Sequence, residues 1–444
     1  MEFTDRPSAV WRYYLYRATS HVGFQYPIYI LFLQANGLSF TAIGAIASIQ
    51  SLVVIAGEVP SGYVGDRIGR RNSLVIASIM FLISGASYLV ATDFIGFTFT
   101  FVALSFGQTF VSGSGSAWLY DTLDEHGLED EFTHISGRAS AISSGAQTIA
   151  MLTGGVFYVV DPYYPFIAAV VLNSVNVVSA LSLPKNTLYA DRSAETDSST
   201  TETDSPSEAE DSEEADGEGD ETDEEEHLSV LEALPVIREQ LSQPALRSFI
   251  VYMALFGGAL MTADIYVQPI AQEALRTSLG PLLDAWGVPE AATLGVLYAA
   301  FTGVSAIASD YAGDIEDRFG VGRALLFAPV AMAVIYLLPV VAPLLAFPMF
   351  FVMRGGFSIV FPISGRYLND RIESVGRATV LSAVAMVRAV AGVPFRVGSG
   401  VVADYASPLV AVAALGAVFL VGAAALSLWA PPIHTGTDTA APAD

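Results

Sequence analysis

Apolar runs long enough to cross a lipid bilayer recur from one end of this 444-residue chain to the other, and a helix can satisfy its own backbone there. The runs fall near residues 10–35, 40–65, 72–92, 94–122, 134–160, 163–183, 245–273, 287–312, 322–341, 343–369, 376–403 and 407–430. Twelve helices are therefore expected, in an all-α membrane protein. With 53% hydrophobic residues and a mean hydropathy of +0.51, the chain exceeds what a soluble domain of this size carries.

One long interruption separates the sixth run from the seventh. Residues 191–227 hold 18 Asp or Glu against one Arg and supply most of the formal charge of −25. The segment is also rich in Ser, Thr and Gly and nearly empty of large apolar side chains, which is the composition of a disordered, self-repelling linker. The expected organisation is a six-helix bundle over 1–183, an acidic linker over 184–244, a second bundle over 245–432 and a tail over 433–444. Lys185 is the single lysine among 20 positive residues, and with the acidic surplus this is similar to proteins of halophilic organisms. Of those 20, 15 fall on the linker face, one on the opposite face and four inside helices, so both termini and the linker are expected in the cytoplasm. Asp5 and Arg6 lead into a helix too long for a signal's apolar core, in keeping with a cytoplasmic N-terminus.

Between the second and third runs stands Gly62 to Arg71, GYVGDRIGRR, with a carboxylate and three arginines at a tight turn. Gly62, Asp66, Arg67, Gly69, Arg70 and Arg71 are spaced in a way that resembles the signature of the major facilitator superfamily. Gly313, Asp317, Arg318 and Gly320 repeat the first part of the pattern, and short matches at the ends of the fourth and tenth runs and the starts of the fifth and eleventh keep the same order. The resemblance covers nearly the whole chain apart from the linker and the tail. It implies two pseudo-symmetric six-helix bundles around a central cavity, opened alternately to each side. It also implies a charge relay of Asp66, Arg70 and Asp121 that latches the outward-facing state. Val321 and Asn369 stand where Arg70 and Asp121 would repeat, so the latch is expected on one side only. Of the Gly-Pro-x-x-Gly-Gly run of the superfamily's antiporters, only Gly154 and Gly155 remain, and close helix packing is their simpler role.

Charged and polar residues inside the runs need a partner or a cavity, because Arg or Asp at a helix centre costs about 2.5–3.5 kcal/mol to insert. Arg17, His21 and Gln25 are spaced four apart and share one face of the expected first helix. Gln108 and Ser112 on the fourth, Asp264 on the seventh and Arg354 on the tenth complete the candidates for a substrate cavity. Arg354 falls near mid-membrane beside Gly355 and Gly356, where an anion could reach it. Glu58 and Arg388 are expected to pair across the second and eleventh helices as a gate. Trp118, Tyr13 and Tyr14 read as an interfacial aromatic belt.

Cysteine is absent, which excludes disulfides and thiolate chemistry. No Gly-rich phosphate loop ends in Lys and Ser or Thr, no helix pairs His with Glu at metal-ligand spacing, and no facing nucleophile and base suggest an intramembrane enzyme. Neither cofactor nor metal nor nucleic acid is expected. The sequence reads as a secondary active transporter of the plasma membrane, moving a small, anionic solute coupled to H+ or Na+. Proton-coupled efflux of amphipathic, drug-like compounds is the alternative within that class, and a non-transporting receptor is the alternative outside it.

Overall fold

The computed structural model describes residues 7–20, 23–185, 244–372 and 377–433, with the side chains of Val59, Asp66, Pro244, Ala245 and residues 377–379 excepted. It is helical throughout. The acidic linker, the last eleven residues of the tail and His21 lie outside the described residues.

The first expected helix is broken. α1 (Ser8–Thr19) stops at Ser20, and a run of bends and turns precedes α2 (Tyr29–Ala35). Pro27 has no N–H to donate and Gly23 weakens a helix, so the sequence offers little to bridge the gap. Arg17 and Gln25 therefore do not share one helical face, contrary to the sequence expectation. α3 (Phe40–Ile68) begins at Ser39, whose hydroxyl accepts from the Ala42 N–H, and α4 (Arg70–Ser87) follows directly. α5 (Phe94–Asp124), capped by Asp93, then α6 (Phe132–Val160) and α7 (Tyr164–Ser182) complete the first half.

The seventh span is irregular. α8 (Pro244–Leu255) runs into a π-helical turn (Phe256–Leu260), a 3-10 stretch (Met261–Tyr266), α9 (Val267–Ala274), a second π turn (Leu275–Leu279) and α10 (Gly280–Trp286). The second half continues through α11 (Glu290–Asp310), α12 (Ala312–Phe319), α13 (Val321–Ile335), α14 (Ala346–Asn369), α15 (Arg377–Tyr405) and α16 (Pro408–Trp429). Among the described residues, nine helical stretches are long and apolar enough to cross a membrane. The expected first, third and fifth spans are not among them: the first is broken, α4 opens on Arg70, Arg71 and Asn72, and α6 carries Arg138 among many Ser, Thr and Gly.

The repeat seen in the sequence has a backbone counterpart. Gly69 separates α3 from α4 at φ 86° and ψ 146°, and Gly320 separates α12 from α13 at φ 77° and ψ 150°. Both are conformations that side chains other than glycine rarely adopt. The two turns lie at one end of the bundle, which also holds residues 185 and 244 and is called the linker end below.

Trp118, Tyr13 and Tyr14 do not form a belt. Trp118 is fully buried, stacks on Tyr13 at 5.5 Å and donates from Nε1 to the Pro184 carbonyl at 3.1 Å, while Tyr14 is buried beside them. Nearby, Arg71 Nε donates to the Leu183 carbonyl at 3.2 Å and Arg12 to that of Ser182 at 2.8 Å. The linker end of the first half is thus knitted by arginine and indole donors to the carbonyls of Ser182, Leu183 and Pro184, at and just past the end of α7.

The two halves meet at the opposite, distal end through glycines. A Cβ on Gly44 of α3 would run into the Arg396 carbonyl oxygen, and one on Gly400 of α15 would lie 2.6 Å from that of Phe40. A Cβ on Gly155 of α6 would run into the Ala291 carbonyl oxygen, and one on Gly295 of α11 would lie 2.6 Å from that of Met151. The second close-packing glycine, Gly154, makes room for the Phe24 carbonyl of the broken span, in line with the packing role expected of this pair. Between described residues, the hydrogen bonds that cross the halves also fall at mid-depth or distally. The Asp404 carboxylate accepts from the Phe40 and Thr41 N–H groups at 2.7 and 2.9 Å, Arg396 donates to Ser51 Oγ at 2.7 Å, and Gln268 reaches Tyr26 and Ile30. Toward the linker end the same helices expose Met386, Val387 and Ile307. Between described residues, the hydrogen bonds and close glycine contacts that join the halves are thus distal or at mid-depth, and none of them lies at the linker end.

Gly155→Ala and Gly44→Ala should each open the distal seam, because overpacking a close contact costs about 1–3 kcal/mol. The cysteine-free chain accepts single reporter cysteines, and thiol labelling at a distal reporter should rise about 5- to 100-fold on that scale. Unchanged labelling would show that these glycines do not set the conformation.

Candidate functional site

The break in the first span is held from two directions. Asn176 of α7 donates from Nδ2 to the Tyr16 carbonyl, Thr19 Oγ1 and Ser20 Oγ, each at 3.0 Å, and so closes the end of α1. At the other edge, an unbroken helix would bond the Ile30 N–H to the Tyr26 carbonyl. The Gln268 carboxamide stands in that gap: Oε1 accepts from the Ile30 N–H at 2.8 Å, and Nε2 donates to the Tyr26 carbonyl at 2.8 Å and to the Tyr298 hydroxyl at 3.3 Å. Gln268 is 1% exposed and belongs to the second half, so one side chain repairs a backbone break in the first. The sequence reading did not single it out. Its signal was a lone amide in the apolar run Val267 to Ile270.

Above this clasp lies an ion pair. Arg354 of α14 donates from Nη2 to Asp264 Oδ1 on the 3-10 stretch of the seventh span. Its guanidinium also lies over the rings of Phe301, at 5.3 Å, and Tyr298, at 5.8 Å. The carboxylate keeps 41% of its side-chain surface exposed and Arg354 keeps 26%, so the pair is wetted rather than sealed. Tyr26 of the broken segment lies within electrostatic reach of both groups, which puts the pair where the halves face each other. The partner or cavity that the sequence required for Arg354 is, in this structure, a carboxylate 90 residues away that neutralises it.

Arg354 Nε, Gln25 Oε1 and Arg17 Nε are buried polar atoms that make no hydrogen bond, and so are Tyr16 Oη and Asn176 Oδ1 at the end of α1. Arg17 sits in the last turn of α1 beside Tyr13 and Tyr16. Arg354, Gln25 and Arg17 were candidates from the sequence. His21 lies outside the described residues. Gln108 is half-buried on α5, and Ser112 is exposed and lines a separate cavity of about 270 Å³ at the linker end, with Glu58, Ser61, Thr109 and Arg70.

The expected gate between Glu58 and Arg388 is not formed. Glu58 faces that 270 Å³ cavity in the first half, while the Arg388 guanidinium lies over the Phe361 ring at 5.1 Å in the second. Each side chain turns into its own half, and the register of α3 against α15, with Gly44 at Arg396 and Gly400 at Phe40, does not bring Glu58 opposite Arg388.

The relay at the signature turn is present in part. Arg70 Nε lies 2.9 Å from Asp121 Oδ2. The side chain of Asp66 is outside the described residues. Arg70 and Asp121 both belong to the first half, so the pair braces α4 against α5 within that half. Arg67 stacks over Tyr63 at 5.2 Å, and Arg318 over Phe319 at 5.9 Å; Asp317 is exposed. The one-sided latch is also corrected. In the second half Arg366 of α14 donates to Glu316 of α12 at 2.6 Å, with acid and base exchanged between turn and helix.

The profile of the Major Facilitator Superfamily matches residues 18–395. The chain belongs to that superfamily. An uncharacterized MFS-type transporter of Bacillus subtilis (strain 168), YxaM, is 22% identical over 146 residues, which are 33% of this chain and 36% of that relative's length. Among solved structures, a variant of the nucleoside transporter NupG is similar over 95% of this chain and 99% of its own, at 11% identity and a TM-score of 0.75. A bacterial homolog of the human lysosomal transporter Spinster, inward-facing and unoccupied, is similar over 95% of each chain, at 14% identity and a TM-score of 0.63. These superfamily relatives are transporters, not enzymes, and at such identities they share the fold.

Gln268→Leu should strand the Tyr26 carbonyl and the Ile30 N–H at once, at about 1–3 kcal/mol for each group. Thermal unfolding in detergent should show a loss of several degrees that Gln268→Asn does not restore, since the shorter side chain cannot span the gap. Wild-type stability of the leucine variant would contradict the clasp.

Proposed function

We propose that this protein is a secondary active transporter that moves a small solute by alternating access, seen here open to the cytoplasm, with Asp264 and Arg354 as its coupling centre. The observation that carries the reading is the orphaned Nε of Arg354 in a wetted ion pair, with Gln25 Oε1 orphaned in the broken segment and Arg17 Nε at the end of α1, between two half-molecules whose hydrogen bonds and close glycine contacts, among the described residues, are distal and at mid-depth. Buried polar atoms without partners are rare in folded proteins, and a bound solute would supply what they lack. The arginine-rich linker end is read as the cytoplasmic face of the plasma membrane, with both termini there.

The ion pair suggests how an ion gradient is used. A proton on Asp264 removes its charge and releases the Arg354 guanidinium, which then takes an anionic group of the solute; loss of the proton restores the pair and expels the anion. Proton and anion thereby bind together. The aromatic walls of Tyr298 and Phe301 support the second reading, efflux of amphipathic compounds, in which the acid exchanges a proton for the solute.

Asp264→Asn is a permanent mimic of the protonated state and should uncouple the cycle. With solutes selected by a thermal-shift screen of a metabolite and drug library, reconstituted vesicles should keep solute exchange. Accumulation driven by a pH gradient should fall about tenfold or more, a loss of at least about 1.4 kcal/mol of coupling. Gradient-driven accumulation at the wild-type level would place coupling elsewhere, and absence of any flux in the wild type would favour a receptor.

A further inference from the structure

Arg388 stands near the middle of the 29-residue α15, too deep for its guanidinium to reach a headgroup region with ease. Among the described residues no carboxylate lies within ion-pair distance of it and no acceptor takes a hydrogen bond from it, although it is half-buried. Its stem is fixed, because it runs over Gly257, where a Cβ would come within 2.9 Å of Arg388 Cγ. Its guanidinium lies over Phe361, whose ring stacks on Phe357 at 6.0 Å and meets Phe256 at 5.9 Å. A cation held this way at mid-membrane, with a preset aromatic floor and no counter-charge, is costly unless something anionic visits it.

Its position along the bundle adds a second argument. Phe361 lies seven residues from Arg354 on α14, and Gly257 lies seven residues from Asp264 on the seventh span. Seven residues are about two turns, or roughly 10 Å, on nearly the same helical face. On α14 this places Arg388 about two turns from Arg354 toward the linker end, and Gly257 lies on the same side of Asp264 along the π and 3-10 stretches of the seventh span.

We propose that Arg388, with Phe361 and Phe357, forms an anion subsite in the open vestibule that takes an organic anion bearing an aromatic ring, its carboxylate forked by the guanidinium and its ring against the phenylalanines. The subsite rests on the transporter reading and narrows its solute to amphipathic aryl carboxylates. Unlike Arg354, Arg388 needs no proton movement to be free, so it receives the anion before the coupling centre does.

The test is binding to the purified full-length protein in a neutral detergent, read by thermal shift and by tryptophan fluorescence, with benzoate, phenylacetate, acetate and neutral benzamide as probes. Benzoate and phenylacetate should bind, acetate more weakly and benzamide not detectably. Arg388→Gln should weaken benzoate binding at least about tenfold, Arg388→Lys should keep part of it because the charge remains, and Phe361→Leu should erase the preference for benzoate over acetate. Gradient-driven accumulation at the wild-type level in Asp264→Asn vesicles would sink the coupling reading while leaving the loss of benzoate binding in Arg388→Gln in place, so failure of the coupling reading and failure of this subsite give different results. Benzoate binding unchanged by Arg388→Gln, or no binding of the aryl carboxylates to the wild type, would overturn the proposal. So would benzoate being displaced by phosphatidylglycerol in nanodiscs, since the cation would then be holding a lipid headgroup. If Arg388→Gln does not fold, the lysine and Phe361→Leu variants decide the matter alone.

Discussion

A helix that breaks inside a bilayer leaves backbone groups that lipid cannot satisfy, and here the break between Thr19 and Tyr29 is repaired by the carboxamide of Gln268 from the other half of the molecule. Much of the centre depends on that repair. The turn it stabilises carries Gln25 and Tyr26 toward the Asp264–Arg354 pair, and its outer bulk fits only because Gly154 offers no side chain to the Phe24 carbonyl. The same contact ties the two halves together at mid-depth, next to the distal seam of Gly44, Gly155, Gly295 and Gly400. A bundle held this way can hinge about its centre while one end opens.

The two halves solve the same problem with exchanged charges. Each has a glycine at positive φ where one span turns into the next, and each braces that turn with an ion pair to the following long helix. In the first half the arginine is on the turn and the acid on the helix; in the second Glu316 is on the turn and Arg366 on the helix. Electrostatic attraction is indifferent to the exchange, so the brace survives where residue-by-residue comparison finds Val321 and Asn369 and predicts its loss. These braces join elements within a half and tie each turn to its own bundle.

The fold was legible in the sequence to the extent that it is written in short range. Hydropathy marked the spans and glycine spacing marked the turns, because Gly69 and Gly320 are dictated by backbone conformation alone. Burial of Arg354 also called for a partner, and one exists, but Asp264 lies 90 residues away and periodicity says nothing of which helices touch. The break of the first span was missed since Pro27 and Gly23 are tolerated in many transmembrane helices when neighbours re-satisfy the backbone, and the neighbour, Gln268, is 238 residues from Ile30. Trp118 and Tyr13 read as surface aromatics because composition cannot tell a headgroup from the Pro184 carbonyl just past α7 as the indole's acceptor. The Glu58–Arg388 gate failed for a different reason: Arg388 lies over the Phe361 ring of its own half and Glu58 faces a cavity of the other, and spacing along each helix does not fix the register between them.

The central claim is that two rigid halves rock about the clasped centre. Pulsed electron–electron spin resonance on the cysteine-free chain, with one label pair across the distal seam at positions 41 and 405 and another across the linker end at 63 and 387, tests it most directly. The account predicts two populations whose distances are anticorrelated, the distal pair lengthening as the linker-end pair shortens, with Asp264→Asn changing their ratio. A single fixed distance for both pairs, at every pH and with every probe solute, would contradict it.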